Sequence, residues 1–234
     1  MASKECFHFT TLERLNHINK KGLEPRSEDR SKSVSDSKKK ISYSDSKIGA
    51  IGLYCNFEQV YLEFKAGIRP KRNTPEEFEM RDKILQTQNM EEFLGNGVYL
   101  MFDGTGIDNT GGNTGHGGIY DASTYTPIPS NKLRVGLIKD NDTGEYSYSR
   151  KDFIHFLMAS MTEEEFSEMI EPMKERYQIY YESHKGEIDK FKKGNFSRGS
   201  IPISKFCEIF KSDIDKASKE ADEKQAQDLD DEIR

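Results

Sequence analysis

Hydrophobic and polar positions follow two different patterns along this chain. Before residue 149, apolar residues form short runs that are typical of strands, at Cys6–Phe9, Ile41–Ser44, Val98–Phe102 and Leu133–Ile138. After residue 149, apolar residues return every three or four positions, which predicts amphipathic helices over 150–160, 162–185 and 203–217. The pattern therefore predicts an α+β chain whose strands lie in the N-terminal part.

Local signals predict a helix directly after the first strand. Thr10 and Glu13 have the spacing of a capping box, and Gly22 can adopt the left-handed conformation that ends a helix. The apolar residues between these ends fall on one helical face, at Leu12, Leu15 and Ile18. We therefore expect one continuous helix to connect the first strand to Gly22.

Other segments are less constrained by their pattern. Ile48–Phe57 is apolar with small residues and is compatible with a helix or a strand. Residues 185–200 are predicted to be a polar connection, and the chain from Lys219 onward an exposed helix or a disordered tail.

Composition and charge limit the classes of function. The chain has 234 residues, of which 34% are hydrophobic and 32% charged, so we expect one modest core. A net charge of −6 argues against general nucleic-acid binding. No apolar run is long enough for a membrane span, and the N-terminus has no signal-peptide core. We expect a cytoplasmic protein, or one exported without a cleaved signal that acts in a host cytosol.

The three cysteines, Cys6, Cys55 and Cys207, lie far apart in the sequence. They form neither a disulfide framework nor a metal-ligand cluster, so we expect buried free thiols and no metal site.

One ordered set of residues carries candidate chemistry. His8-Phe9-Thr10 is followed by the predicted helix, by Gly22-Leu23, by the run Ser42–Ser46, and then by Tyr54. This order resembles the ADP-ribosyltransferase superfamily, in particular its diphtheria-toxin-like and poly(ADP-ribose) polymerase-like branch. The resemblance covers about residues 5–60 and rests on a few spaced residues.

The resemblance implies that NAD is the co-substrate and assigns residues to it. His8 and Thr10 would contact the adenosine-side ribose, since positions two apart on a strand share a side. Tyr54 would stack on nicotinamide, because tyrosine offers a flat apolar face. The remaining candidates for NAD binding are Phe9, Tyr43, Ser44 and Ser46.

Family members that catalyse transfer carry a late-strand glutamate, and this chain has none between Glu92 and Glu145. Asp121 lies at a similar distance before Pro127-Ile128-Pro129, which resembles the segment that follows the family's glutamate. The catalytic carboxylate is therefore Asp121, Glu145 or absent.

Each candidate also has a purely structural explanation. His8 could be a satisfied strand histidine, Thr10 a helix cap, and Tyr43 and Tyr54 core residues. Cys6 and His8 share a strand side, which permits a thiolate–imidazole pair. The glycine-rich segment Gly104–Gly118, which contains His116, is a flexible loop or a loop over the NAD site.

The sequence therefore predicts a split, twisted mixed sheet with flanking helices, similar to that of ADP-ribosyltransferases, over residues 1–148. A helical appendage with a polar tail is predicted over 149–234. The expected activity is transfer of ADP-ribose from NAD to a macromolecule, expected to be a protein.

Two alternatives stay open, and the oligomeric state is not predicted. One is a module of the same fold that binds NAD or ADP-ribose without turnover. The other is an RNA-phosphate transferase of the same superfamily, to which only a few basic residues point: Lys38, Lys39, Lys40, Arg69, Lys71 and Arg72.

Overall fold

The computed structural model describes residues 4–25, 41–55, 97–108 and 121–233. Its strands are β1 (Glu5–Thr11), β2 (Ile41–Ser44), β3 (Gly97–Asp103), β4 (Asp121–Thr124), β5 (Arg134–Asp140), β6 (Tyr146–Ser147) and β7 (Phe196–Pro202). Its helices are α1 (Leu15–Lys21), α2 (47–55), α3 (Arg150–Ala159), α4 (Glu163–Ser167), α5 (Glu171–Lys193), α6 (Ile203–Ile209) and α7 (Lys211–Ile233), with short 3-10 turns at Leu12–Arg14 and Ser130–Lys132.

The described strands form one sheet in the order β4-β2-β1-β3-β5-β6, and β7 pairs with β5 over its whole length. Every pairing between described strands is antiparallel. The predicted α+β class, with helices flanking a sheet, is confirmed.

Alternation along the strands gives the sheet two covered faces. One face, here called the α1 face, carries Cys6, Val98, Leu100, Phe102 and Val135 and is covered by α1, α6 and α7. The other, here called the α3 face, carries Phe7, Tyr99, Met101 and Ile138 and is covered by α2, α3 and α5. Burial on both sides explains why β3 is apolar at successive positions.

The predicted continuous helix after β1 is wrong at its start. Thr10 stays in β1, a 3-10 turn follows, and α1 begins only at Leu15. The side chain that contacts Glu13 is that of Thr11. The predicted end is confirmed, because Gly22 has φ = 80° and its N–H donates to the Ile18 carbonyl.

The segment after residue 160 also differs from its prediction. The capping box of Thr162 and Glu165 is confirmed, but the helix ends at Ser167 and a new one starts at Glu171. The supposed polar connection 185–200 is wrong: α5 continues to Lys193, and β7 follows it.

Residues on both sides of the predicted boundary at 148/149 enter the same two cores. Ile203 and Phe206 join the α1-face core, and Phe153 and Ile154 join the α3-face core. The helical part thus supplies a strand and cover to the same sheet. None of the helices in the described ranges has the length and apolar content needed to cross a bilayer.

Candidate functional site

The α1 face of β1 places two of the predicted NAD-binding residues side by side. On the neighbouring strand β3, Leu100 pairs with His8 and Val98 pairs with Thr10. Since paired residues share a side of the sheet, His8 and Thr10 belong to the α1 face. Tyr43 of β2 lies on the same face and contacts the Phe102 ring edge-on at 5.4 Å between centroids. The structure therefore brings His8, Thr10 and Tyr43 together on one face.

The environment of these three side chains is uneven. His8 is half-buried, while Thr10 and Tyr43 are buried at 2% and 4% exposure. The Thr10 hydroxyl finds no hydrogen-bond partner within the described part of the chain. A buried hydroxyl without a partner is unfavourable by about 1–3 kcal/mol, so it calls for a specific explanation.

Cys6 lies two positions before His8 in sequence, but its environment argues against the thiolate–imidazole pair. Its side chain is fully buried, and this burial raises the pKa of the thiol to about 11. The sulfur therefore stays protonated at neutral pH, when a nucleophilic cysteine needs the thiolate.

Tyr54 is not brought to His8. It lies on α2, is 1% exposed, and belongs to the α3-face core on the other side of the sheet. Phe9, next to His8, also faces that side. The shared cleft that the sequence predicted for His8 and Tyr54 is not formed by these described side chains, because α2 crosses the opposite face.

Tyr54 and Phe9 instead surround a buried cation. The Arg150 guanidinium lies 3.8 Å from the Phe9 ring centroid and 4.8 Å from that of Tyr54, and its Nε donates to the Tyr99 hydroxyl at 3.3 Å. Arg150 is 1% exposed. Aromatic faces stabilise such a desolvated cation, so these rings hold the start of α3 against the sheet.

The two predicted serines occupy different structural positions. Ser44 is buried in register with Phe7 on the α3 face. Ser46 caps α2, since its Oγ accepts from the Gly49 N–H at 3.0 Å.

The two candidate carboxylates occupy different places. Asp121 starts β4 and pairs with Ser44, which itself pairs with Phe7, so its backbone lies about 10 Å from β1, two strand spacings away. Glu145 is exposed in the turn before β6, where its carbonyl accepts from the Asp140 N–H. Val135 stands level with His8 in the sheet, because Leu100 pairs with both of them. The turn begins at Asp140, five positions further along β5, or about 17 Å away. Asp121 is therefore nearer to β1, but its register row is that of Ser44 and Phe7 on the α3 face, so the backbone does not bring it together with His8.

Several predicted features lie outside the described residues. These are most of the glycine-rich loop with His116, the basic residues at 38–40, 69, 71 and 72, and the neighbouring segments.

Sequence reasoning missed a polar cluster between α3 and α5. His155 is fully buried and hydrogen-bonds the Tyr180 hydroxyl at 2.7 Å, and the His184 ring stacks on Tyr180 at 4.2 Å between centroids. Arg150 was missed too. Arg150 comes four residues before Ile154 and seven before Leu157, so it lies on the apolar face of the helix. That spacing could have indicated a buried arginine.

Within the described ranges, no three His, Cys, Asp or Glu side chains converge as a metal site would need. No family model, curated protein or solved structure matches this chain.

Proposed function

We propose that this chain is an NAD-dependent ADP-ribosyltransferase that binds NAD on the α1 face of β1 and transfers ADP-ribose to a protein. The proposal is supported by the position of three side chains on one face of the sheet: His8 and Thr10 on β1, and Tyr43 on β2. The observation that carries the proposal is the buried Thr10 hydroxyl, which has no hydrogen-bond partner among the described residues. A ribose hydroxyl or a carboxamide of NAD would satisfy it.

The reaction breaks the bond between the ribose C1′ and the nicotinamide nitrogen. Nicotinamide leaves with the bonding electron pair as a neutral amide, and C1′ becomes oxocarbenium-like. A nucleophile on the acceptor protein then bonds to C1′ and releases its proton. His8 would hold a ribose hydroxyl. Neither predicted carboxylate is assigned to the cation, because the backbone register puts Asp121 with Ser44 and Phe7 on the α3 face, and Glu145 lies in a distant turn.

The second candidate is a module that binds NAD or ADP-ribose without turnover. This candidate is favoured because neither predicted carboxylate lies level with His8 in the strand pairing of the sheet. Asp121 belongs to the row of Phe7 and Ser44, and Glu145 lies in a distant turn.

One experiment separates the two candidates. The full chain and the variants His8→Ala, Thr10→Val, Asp121→Asn and Glu145→Gln are incubated with labelled NAD and a cell lysate, and thermal unfolding is measured with and without NAD. The enzyme predicts label transfer that falls at least 100-fold in His8→Ala, since one electrostatic group in a transition state is worth about that much. Asp121→Asn and Glu145→Gln are the carboxylate controls, and both should keep wild-type transfer.

The binding module predicts stabilisation by NAD, about 3 kcal/mol at a hundredfold excess over Kd, without transfer. If NAD neither shifts the unfolding temperature nor labels any protein, both candidates are rejected.

A further inference from the structure

The polar cluster between α3 and α5 contains a histidine with an unsatisfied nitrogen. His155 is 0% exposed, and its Nε2 hydrogen-bonds the Tyr180 hydroxyl at 2.7 Å. Its Nδ1 has no hydrogen-bond partner among the described residues. The nearest carboxylate oxygen, Oε2 of Glu187, is 3.7 Å away, which is too long for a hydrogen bond.

The second histidine lies where α5 is interrupted. His184 has φ = −119° and ψ = 17°, outside the helical range. Its ring stacks on Tyr180 with an interplanar angle of 14°, and its Nδ1 donates to the Tyr180 carbonyl at 3.1 Å. Tyr180 therefore connects the buried histidine on α3 to the irregular residue on α5.

The charged groups that face His155 come from both helices. Lys151 and Asp152 belong to its own helix, and Glu187 belongs to α5 beside His184. Lys151 Nζ holds Glu187 Oε2 at 2.6 Å, while Asp152 accepts from the Ser147 hydroxyl at 2.6 Å. Burial alone would raise the pKa of Glu187, but the hydrogen bond and charge of Lys151 outweigh it and lower that pKa.

We propose that the His155–Tyr180–His184 stack is an acid-sensitive latch that keeps residues 184–193 of α5 on α3, and that protonation of His155 opens it. A protonated imidazole needs acceptors for two N–H groups. Here one N–H would face the Tyr180 hydroxyl, and the other would face a carboxylate already engaged by Lys151. Opening at the irregular residue returns the imidazole to water.

The direction of the pH effect follows from the burial. Burial lowers the pKa of His155 to about 4, so the latch is uncharged and closed at neutral pH. In the opened segment the imidazole regains an ordinary pKa near 6.5. Opening is therefore favoured progressively as the pH falls below about 6.5, and between pH 7.5 and 5 its equilibrium constant rises on the order of 20-fold.

The test is hydrogen–deuterium exchange of the full chain at pH 7.5 and pH 5, corrected for the pH dependence of intrinsic exchange. Residues 184–193 should open on the order of 20-fold more often at pH 5, while β5 serves as the internal reference and changes little. Equal corrected exchange at the two pH values, or an equal rise in β5, would overturn the proposal.

Two variants make the test specific. The double variant His155→Phe/Tyr180→Phe keeps the volume and removes the titrating group, so exchange in 184–193 should lose its pH dependence. Glu187→Gln removes the neighbouring carboxylate but keeps the imidazole, so the rise in opening between pH 7.5 and pH 5 should persist.

Glu187 is 54% exposed, so this second variant is expected to fold even if the buried double variant does not. Glu182→Gln, an exposed change five residues earlier on α5, is the matched control and should behave as wild type. Loss of the rise in Glu187→Gln would show that the carboxylate, not the imidazole, is the titrating group, and would contradict the latch.

Discussion

At the residue scale, two buried threonines on the α1 face differ in one respect. The Thr124 hydroxyl accepts from the Thr126 N–H at 3.0 Å, whereas the Thr10 hydroxyl has no partner among the described residues. Both side chains are almost fully buried, at 0% and 2% exposure. The pair therefore separates a hydroxyl that stabilises the fold from one that has no hydrogen-bond partner among the described residues.

Replacing each threonine by valine tests this difference. Thr124→Val should lower the free energy of unfolding by about 1–2 kcal/mol, because the Thr126 N–H loses its acceptor. Thr10→Val should leave it unchanged or raise it, and should weaken NAD binding about tenfold. Urea unfolding and titration with NAD measure the two effects. A loss of stability in Thr10→Val equal to that in Thr124→Val would show that the Thr10 hydroxyl has a structural partner.

At the element scale, Gly22 ends α1 and joins it to the chain before β5. Its φ is 80°, and a Cβ there would lie 2.4 Å from the Ile128 carbonyl oxygen. Leu23 and Ile128 exchange two backbone hydrogen bonds at 2.9 Å, so this close approach cannot relax without breaking them.

Gly22→Ala is therefore expected to destabilise the fold by about 2 kcal/mol or more, from backbone strain and the contact together. Gly186→Ala is the matched control, because a Cβ at this position in α5 meets no atom within 4 Å. That change should stabilise the fold by about 0.5–1 kcal/mol. Chemical denaturation of both variants measures the contrast, and a Gly22→Ala variant as stable as wild type would refute the strain argument.

The elements predicted correctly from sequence were those in which burial or backbone conformation determines the residue types. β3 and β5 are apolar because helices cover both faces of the sheet, and Gly22 is a glycine because its φ is positive. β7 was missed because its middle residues are exposed, and its backbone pairing with β5 leaves no hydrophobic alternation in the sequence.

The candidate site was predictable only in part for a similar reason. Alternation along one strand was enough to place His8 and Thr10 on one side. The side of the sheet on which α2 packs is set by tertiary structure, so the position of Tyr54 relative to His8 had no local signal.

At the scale of the whole molecule, each face of the sheet buries a group that titrates outside its ordinary range. His155 lies in the α3-face packing, where burial lowers its pKa to about 4. Cys6 lies in the α1-face core, where burial raises the pKa of its thiol to about 11. Both groups are uncharged in the folded protein, so the two cores lose stability at opposite ends of the pH scale.

The alkaline limb gives a prediction about the whole fold. The unfolded thiol has its reference pKa of 9.0, so the unfolded chain releases this proton at lower pH than the folded one. The free energy of unfolding is therefore unaffected by Cys6 below about pH 8 and falls by about 2 kcal/mol by pH 10.5. Urea unfolding under reducing conditions at pH 8 and pH 10.5 measures this drop. Cys6→Ala should reduce the alkaline drop in the free energy of unfolding by about 2 kcal/mol. Cys207→Ala, which changes a thiol that is 8% exposed, is the control and should keep the Cys6 contribution. An identical alkaline drop in Cys6→Ala and wild type would mean that the Cys6 thiol is not held neutral by the α1-face core.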